Sequence, residues 1–238
     1  MKKAIVGLLV AVLLASGLLM GCGGVLTGSG NVEAKEYTFS DFNKVEISSA
    51  FEFEISQSGS YSVSITADDN IIDKVEVTKA GTTLKIDLKT IPRLGPVTLK
   101  AEVTMPKLRG LAVSGASRGT VSDFSSTENL DINVSGASKV TGDITAGDAD
   151  FEVSGASTVQ LEGLANNMAA NVSGASRFNL GGLMVDNANV TFSGASNGTI
   201  NLSGKLDANL SGASKLSYIG EPTMGNINTS GASTISKK

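Results

Sequence analysis

DINVSGASKVTGDITAGDADFEVSGASTV, residues 131–159, contains the same pattern twice, and its reading decides the fold. A short run alternating apolar and polar residues enters Ser-Gly-Ala-Ser: Ile132 and Val134 against Asp131 and Asn133, then Phe151 and Val153 against Asp150 and Glu152. A second alternating run leaves the tetrad. Alternation with period two is the signature of a half-buried strand. The tetrad occurs seven times, beginning at Ser114, Ser135, Ser154, Ser173, Ser193, Ser211 and Ser230, with spacings of 21, 19, 19, 20, 18 and 19. Strands recurring at a near-fixed period of this length define a solenoid, in which a coil buries its apolar face only by stacking on its neighbours. A leucine-rich repeat would need a regular Leu and Asn framework, and a calcium-binding β-roll Gly-Gly-x-Gly-x-Asp tandems; neither is present. The expectation is an all-β solenoid of about seven coils of 19–20 residues over residues 111–238.

Aligned on the tetrad, the coils read as columns. The residue before it is Val113, Val134, Val153, Val172, Phe192, Leu210 and Thr229, an inward column that fails only in the last coil. Two residues earlier, Leu111, Ile132, Phe151, Ala170, Val190, Ala208 and Ile227 repeat that face, and amides and carboxylates such as Asp131, Glu152 and Asn171 lie outside. After the tetrad an outer column reads Arg118, Lys139, Thr158, Arg177, Asn197, Lys215 and Thr234. The next column turns inward (Val140, Val159, Phe178, Leu216), and the one beyond it is polar: Thr120, Thr141, Gln160, Asn179, Thr199, Ser217 and Ser236. Each coil therefore supplies two strands, with a shorter irregular third side such as 143–147 or 183–186. Parity counted through the tetrad turns its Gly and second Ser inward and its Ala outward, unless the corner resets it. The tetrad reads as a tight, stackable corner, with Gly supplying backbone angles that a Cβ resists. A catalytic serine is the sharper alternative, but the chain has no His and so no Ser-His-Asp triad.

The N-terminus carries an address. Met1-Lys2-Lys3 followed by an uncharged run over residues 4–20 is the charged and apolar part of a secretory signal. Leu19-Met20-Gly21-Cys22 resembles the lipobox of bacterial lipoproteins, where cleavage precedes an acylated cysteine. Cys22 is the only cysteine, so no internal disulfide can form; a free thiol or an intermolecular bridge is the plain alternative to acylation. Each buried methylene contributes about 0.8 kcal/mol, and two or three acyl chains anchor stably where one does not. The expected organisation is a signal peptide over 1–21, a flexible tether over 22–35 after lipidated Cys22, a β-rich segment over 36–110 that caps the solenoid, and the repeats over 111–238. Gly23 after the cysteine is compatible with outer-membrane sorting, so the expected location is the cell envelope, lipid-anchored at the outer membrane. Loss of Lys2 and Lys3 with the leader takes the formal charge from −4 to −6, which offers no electrostatic footprint for nucleic acid.

Residues 36–110 read as short alternating strands without the tetrad, at 45–47, 51–55, 61–65, 84–88 and 97–103, separated by turn-rich stretches. They either continue the solenoid core and cover its first coil or form a separate small sandwich. An acidic-aromatic entry (Phe39, Phe42, Val45), a hairpin-like stretch over 53–65, the strand Thr83-Leu84-Lys85-Ile86, Pro106 near a Leu-rich entry and then Gly-centred coils together resemble the bacterial family called putative auto-transporter adhesin, head GIN domain. The resemblance covers residues 36–238. It implies a right-handed parallel β-helix on a secreted or surface lipoprotein and carries over no catalytic residues.

Three functions compete. The first is an envelope or surface binding protein whose long face meets a repetitive partner, a polysaccharide or an envelope protein, through Arg118, Lys139, Arg177 and Lys215. Its plain alternative is a solvated face that keeps the solenoid soluble. The second is a carbohydrate-active enzyme, by analogy of fold alone, with Asp143, Asp148 and Asp150 the best local carboxylate cluster. The third, ice or crystal-surface binding, is opposed by irregular spacing and interspersed charges. Low aromatic content and the lack of Trp argue against a deep aromatic pocket. Nothing in the sequence calls for a cofactor or a metal, and the expectation is a non-catalytic protein.

Overall fold

The computed structural model describes residues 25–89 and 93–238. The tetrad repeats build a stack of two-strand coils: β8 (Gly110–Val113) with β9 (Arg118–Ser125), β10 (Leu130–Val134) with β11 (Lys139–Thr145), and β12 (Ala149–Val153) with β13 (Thr158–Leu164). The stack continues with β14 (Asn167–Val172) and β15 (Arg177–Val185), β16 (Asn187–Phe192) and β17 (Asn197–Leu202), β18 (Lys205–Leu210) and β19 (Lys215–Ile219), and β20 (Thr223–Thr229) and β21 (Thr234–Lys237). Strands before the tetrad join a ten-stranded sheet, strands after it an eleven-stranded one, and within the repeats every pairing is parallel and one coil removed. The two inner faces meet in a single core in which Phe151, Phe178 and Phe192 form a ladder, with ring centroids 5.1 and 6.0 Å apart. Burying each such side chain contributes about 1.5–3 kcal/mol.

The tetrad is a corner, and it resets the parity. The second Ser turns in, as the alternation predicts: Ser117, Ser138, Ser157, Ser176, Ser196 and Ser214 are buried. The Gly, expected inward, is exposed together with the Ala. The reason is the positive φ of the glycine, +75° at Gly155 and +72° at Gly174, which puts this residue at the outer apex of the turn. Successive apices stack by backbone hydrogen bonds, Ala175 N–H to the Gly155 carbonyl at 2.7 Å and Ala195 N–H to that of Gly174 at 2.8 Å. A Cβ on Gly174 would lie 2.3 Å from the Gly155 oxygen, so no other residue fits there. Most inner hydroxyls satisfy themselves on the corner, as Ser157 Oγ does by donating to the Ser154 carbonyl at 2.8 Å.

The irregular third side does not exist as a separate face. Residues 143–145 belong to β11 and 183–185 to β15, where the strands bend at bulges marked by register shifts between Gly142 and Ile144 and between Leu180 and Met184. The return corner is a second ladder: Asp148 N–H donates to Asn129 Oδ1, Asn167 Nδ2 to Asp148 Oδ1 at 2.8 Å, and Asn187 Nδ2 to Asn167 Oδ1 at 2.9 Å.

The N-terminal part comprises β1 (Val32–Tyr37), β2 (Lys44–Ile47), β3 (Glu52–Gln57), β4 (Ser62–Asp68), a 3-10 turn (Ile72–Lys74), β5 (Val75–Ala80), β6 (Thr83–Leu88) and β7 (Leu99–Met105). Strands β2 and β3 form a coil directly beneath β8 and β9, in parallel register with them. Strands β6 and β7 form a further coil on the other side of β2 and β3. The chain must therefore pass back across its own first coil to start the repeats. Residues 106–109 make that crossing, held by Arg109 N–H on the Asn43 carbonyl at 2.7 Å and Gln57 Nε2 on the Pro106 carbonyl at 2.8 Å. Antiparallel β4 and β1 then extend the eleven-stranded sheet, and antiparallel β5 ends the ten-stranded one. The stretch expected as a flexible tether is bonded to the body over its described part. Gly28 N–H donates to the Pro96 carbonyl, Gly30 N–H to buried Asp68, and Val32 begins strand β1.

Candidate binding face

Register on the eleven-stranded sheet brings the four sequence-predicted cations into one straight row. Arg118 pairs with Lys139, Lys139 with Thr158, Thr158 with Arg177, Arg177 with Asn197, and Asn197 with Lys215. Adjacent strands lie about 4.8 Å apart, so the row from Arg118 to Lys215 is roughly 24 Å long. All four cationic side chains are exposed. Among the described residues, none of them lies in an ion pair or donates a side-chain hydrogen bond. Beside this row runs a wholly uncharged one, Thr120, Thr141, Gln160, Asn179, Thr199, Ser217 and Ser236. Between Arg177 and Lys215, where Asn197 and Gly198 leave the surface low, the two rows border an open depression of about 290 Å³.

The row is longer than the repeats. Because the β2–β3 coil sits beneath β9, Glu52 lies beside Arg118 and Lys100 beside Glu52. Sequence alignment on the tetrad missed both. The signal was present in degraded form: Ser48-Ser49-Ala50-Phe51 is a corner without its Gly, with Ser49 at φ +67° and Ala50 at φ +64°, and Phe51 buried where the inner Ser would stand.

The outer face of the ten-stranded sheet differs in how its charges are engaged. It carries Asp131, Asp150, Glu152 and Asp207, and lysines there are paired with carboxylates: Lys205 Nζ lies 2.8 Å from Asp207, Lys85 2.8 Å from Glu46, and Lys44 3.5 Å from Asp131. Partial burial, with Asp131, Asp148 and Glu152 close by, raises the Asp150 carboxyl above its ordinary range. Lys205, by hydrogen bond, holds Asp207 below it.

Of the three carboxylates singled out for catalysis, Asp148 and Asp150 are near neighbours and Asp143 stands on the other sheet. Asp143 lies on the eleven-stranded sheet and Asp150 on the ten-stranded one, while Asp148 stands at the corner between them, accepting hydrogen bonds from both the backbone and the side chain of Asn167. Among the described residues, no three His, Cys, Asp or Glu side chains are grouped to hold a metal ion. Cys22 lies outside the described residues.

A two-sheet solenoid with long flat faces and no enclosed pocket at its cationic row belongs to the class of repeat proteins that present extended surfaces. Within that class, the chain belongs to the family described as putative auto-transporter adhesin, head GIN domain, which matches residues 41–222. No curated protein matches it. Its fold is similar to the crystal structure of a putative adhesin from Bacteroides fragilis NCTC 9343, with TM-score 0.84 and 24% identity over 90% of this chain and 100% of that one. It is also similar to that of a putative lipid binding protein from Parabacteroides distasonis ATCC 8503, with TM-score 0.72 and 21% identity over 90% and 100%. A putative adhesin from the same P. distasonis strain aligns with TM-score 0.67 and 18% identity over 90% and 100%.

Proposed function

We propose that this protein is a non-catalytic envelope lipoprotein, anchored at the outer membrane through Cys22, that binds an acidic polysaccharide on the outer face of its eleven-stranded sheet. The observation that carries the reading is the row of Arg118, Lys139, Arg177 and Lys215, unpaired among the described residues on one sheet, while Lys44, Lys85 and Lys205 on the other sheet are paired. A flat, straight row suits an extended polymer better than a small molecule, which favours a concave site. The adhesin descriptions of the family and of two solved relatives agree with a role in attachment. Binding is favoured over catalysis because Asp143 lies on the opposite sheet from Asp150 and Asp148 is held by Asn167 at the corner, whereas glycoside hydrolysis needs two carboxylates free to face one bond.

Changing Arg118, Lys139, Arg177 and Lys215 together to Glu should abolish low-salt retention on an immobilised acidic polysaccharide while shifting stability by only about 0.5 kcal/mol per site or less. Wild type that is never retained, or a variant retained equally, would refute the binding face. Separately, Cys22→Ser should move the protein from the detergent phase to the aqueous phase on phase separation of cell extracts, with an unchanged thermal melt. An unaltered membrane pool would refute the anchor.

A further inference from the structure

The cations on the binding face do not merely line up; from Lys139 onward they alternate. Strand by strand the row reads Lys139, Thr158, Arg177, Asn197, Lys215, Thr234, a cation on every second coil with a neutral hydrogen-bonding residue between. Two coils advance roughly 10 Å along the solenoid. Arg118, the cation that breaks the alternation, stands between Lys139 and the Glu52 carboxylate on the adjoining strand. The neighbouring row from Thr141 to Ser236 adds hydroxyls and amides but no charge. Resting on the binding-face reading, we infer that the ligand is a linear polysaccharide with one acidic sugar per disaccharide, laid parallel to the solenoid axis, so that successive carboxylates meet Lys139, Arg177 and Lys215.

The physical case is one of matched periods. Two linked pyranose rings in an extended chain span about the same length as two coils. An acid on alternate sugars then meets a cation at each repeat, while the intervening neutral sugar lies over Thr158 or Asn197. A polymer charged on every sugar would place half of its carboxylates over neutral residues and gain no added contact from them. Charge-assisted hydrogen bonds are about twice as strong as neutral ones, so the register of the carboxylates decides the fit.

The test compares three polymers of matched length at low salt: hyaluronan, with one carboxylate per disaccharide; polygalacturonate, with one per sugar; and neutral dextran. Wild type should bind hyaluronan at least as tightly as polygalacturonate and ignore dextran. The double variant Thr158→Lys with Arg177→Thr keeps the net charge and changes only exposed or half-exposed positions, but it moves one cation by a coil. It should lose hyaluronan affinity about tenfold while polygalacturonate binding stays within about twofold. A second pair, Asn197→Lys with Lys215→Asn, repeats the shift elsewhere, and Arg177→Lys should retain hyaluronan binding; thermal melts confirm folding of all three. Binding of polygalacturonate well above hyaluronan, or equal hyaluronan binding by wild type and both shifted variants, overturns the alternation while leaving the binding face intact. Failure of wild type to bind either acidic polymer overturns the face itself.

Discussion

The two sheets of the solenoid share one core and one repeat, yet their outer faces have diverged. On the ten-stranded sheet the exposed positions carry carboxylates and amides, Lys44, Lys85 and Lys205 are paired, and the Asn129, Asp148, Asn167 and Asn187 ladder at the corner ties coil to coil. On the eleven-stranded sheet Lys237 is paired with Glu221, but Arg118, Lys139, Arg177 and Lys215 stand in a row without carboxylate partners among the described residues, next to a neutral row. Both faces would satisfy solubility and both are built on the same strand geometry. The difference is that one face ties Lys44, Lys85 and Lys205 to its own carboxylates and the other leaves Arg118, Lys139, Arg177 and Lys215 open to solvent.

The largest effect should come from the shared interior, where neither face has latitude. Val153→Asp places a carboxylate at a position that is 1% exposed, with no partner to receive it, and should destabilise by several kcal/mol in a denaturant melt. Thr158→Asp, on the outer side of the eleven-stranded sheet, should change stability by about 0.5 kcal/mol or less. Equal losses in the two variants would break the assignment of inside and outside on which the comparison rests.

A smaller effect probes the crowded carboxylates around Asp150. Because Asp150 is raised above its ordinary range by partial burial and by its carboxylate neighbours, the native state binds its proton more tightly than the unfolded chain does. Its favourable contribution is present below the unfolded pKa and is lost as pH rises through the folded one. Asp150→Asn should therefore be more stable than wild type at neutral pH, by less than about 0.5 kcal/mol, and the gain should vanish below the ordinary carboxylate range. Thermal melts across pH read this directly; a gain that is the same at every pH would mean that charge crowding is not its cause.

Legibility in the sequence followed the strictness of the repeat. The inward columns through Val113, Leu111 and Val140 and the outer row of Arg118, Lys139, Arg177 and Lys215 could be read because one residue type class recurs at one phase, and stacking forces that recurrence. The position of Gly within the tetrad could not be obtained from parity, since a residue at positive φ breaks the alternation that parity assumes. The crossing of 106–109 over the first coil also escaped. A tetrad with Ser49 for Gly and Phe51 for Ser hides the coil it turns, and the order of coils in space differs from their order in the chain. The ladder at the return corner was visible in principle, as Asn129, Asp148, Asn167 and Asn187 keep the coil spacing of 19, 19 and 20 residues. It was masked because Asp148 also fits a carboxylate cluster, and only the Asn167 hydrogen bonds show which role it fills. The joining of Lys100 and Glu52 to the cationic row arises from tertiary pairing that no local pattern specifies.

The most direct test of the account uses the lysines of both faces in one molecule. Wild-type protein is acetylated under limiting reagent with and without hyaluronan, and the modification of each lysine is read by mass spectrometry after digestion. Lys139 and Lys215 should be protected several-fold by the polymer, and Lys44, Lys85 and Lys205 should be modified alike in both samples. Protection of the second set, or of neither set, would contradict the claim that the eleven-stranded face is the one that binds.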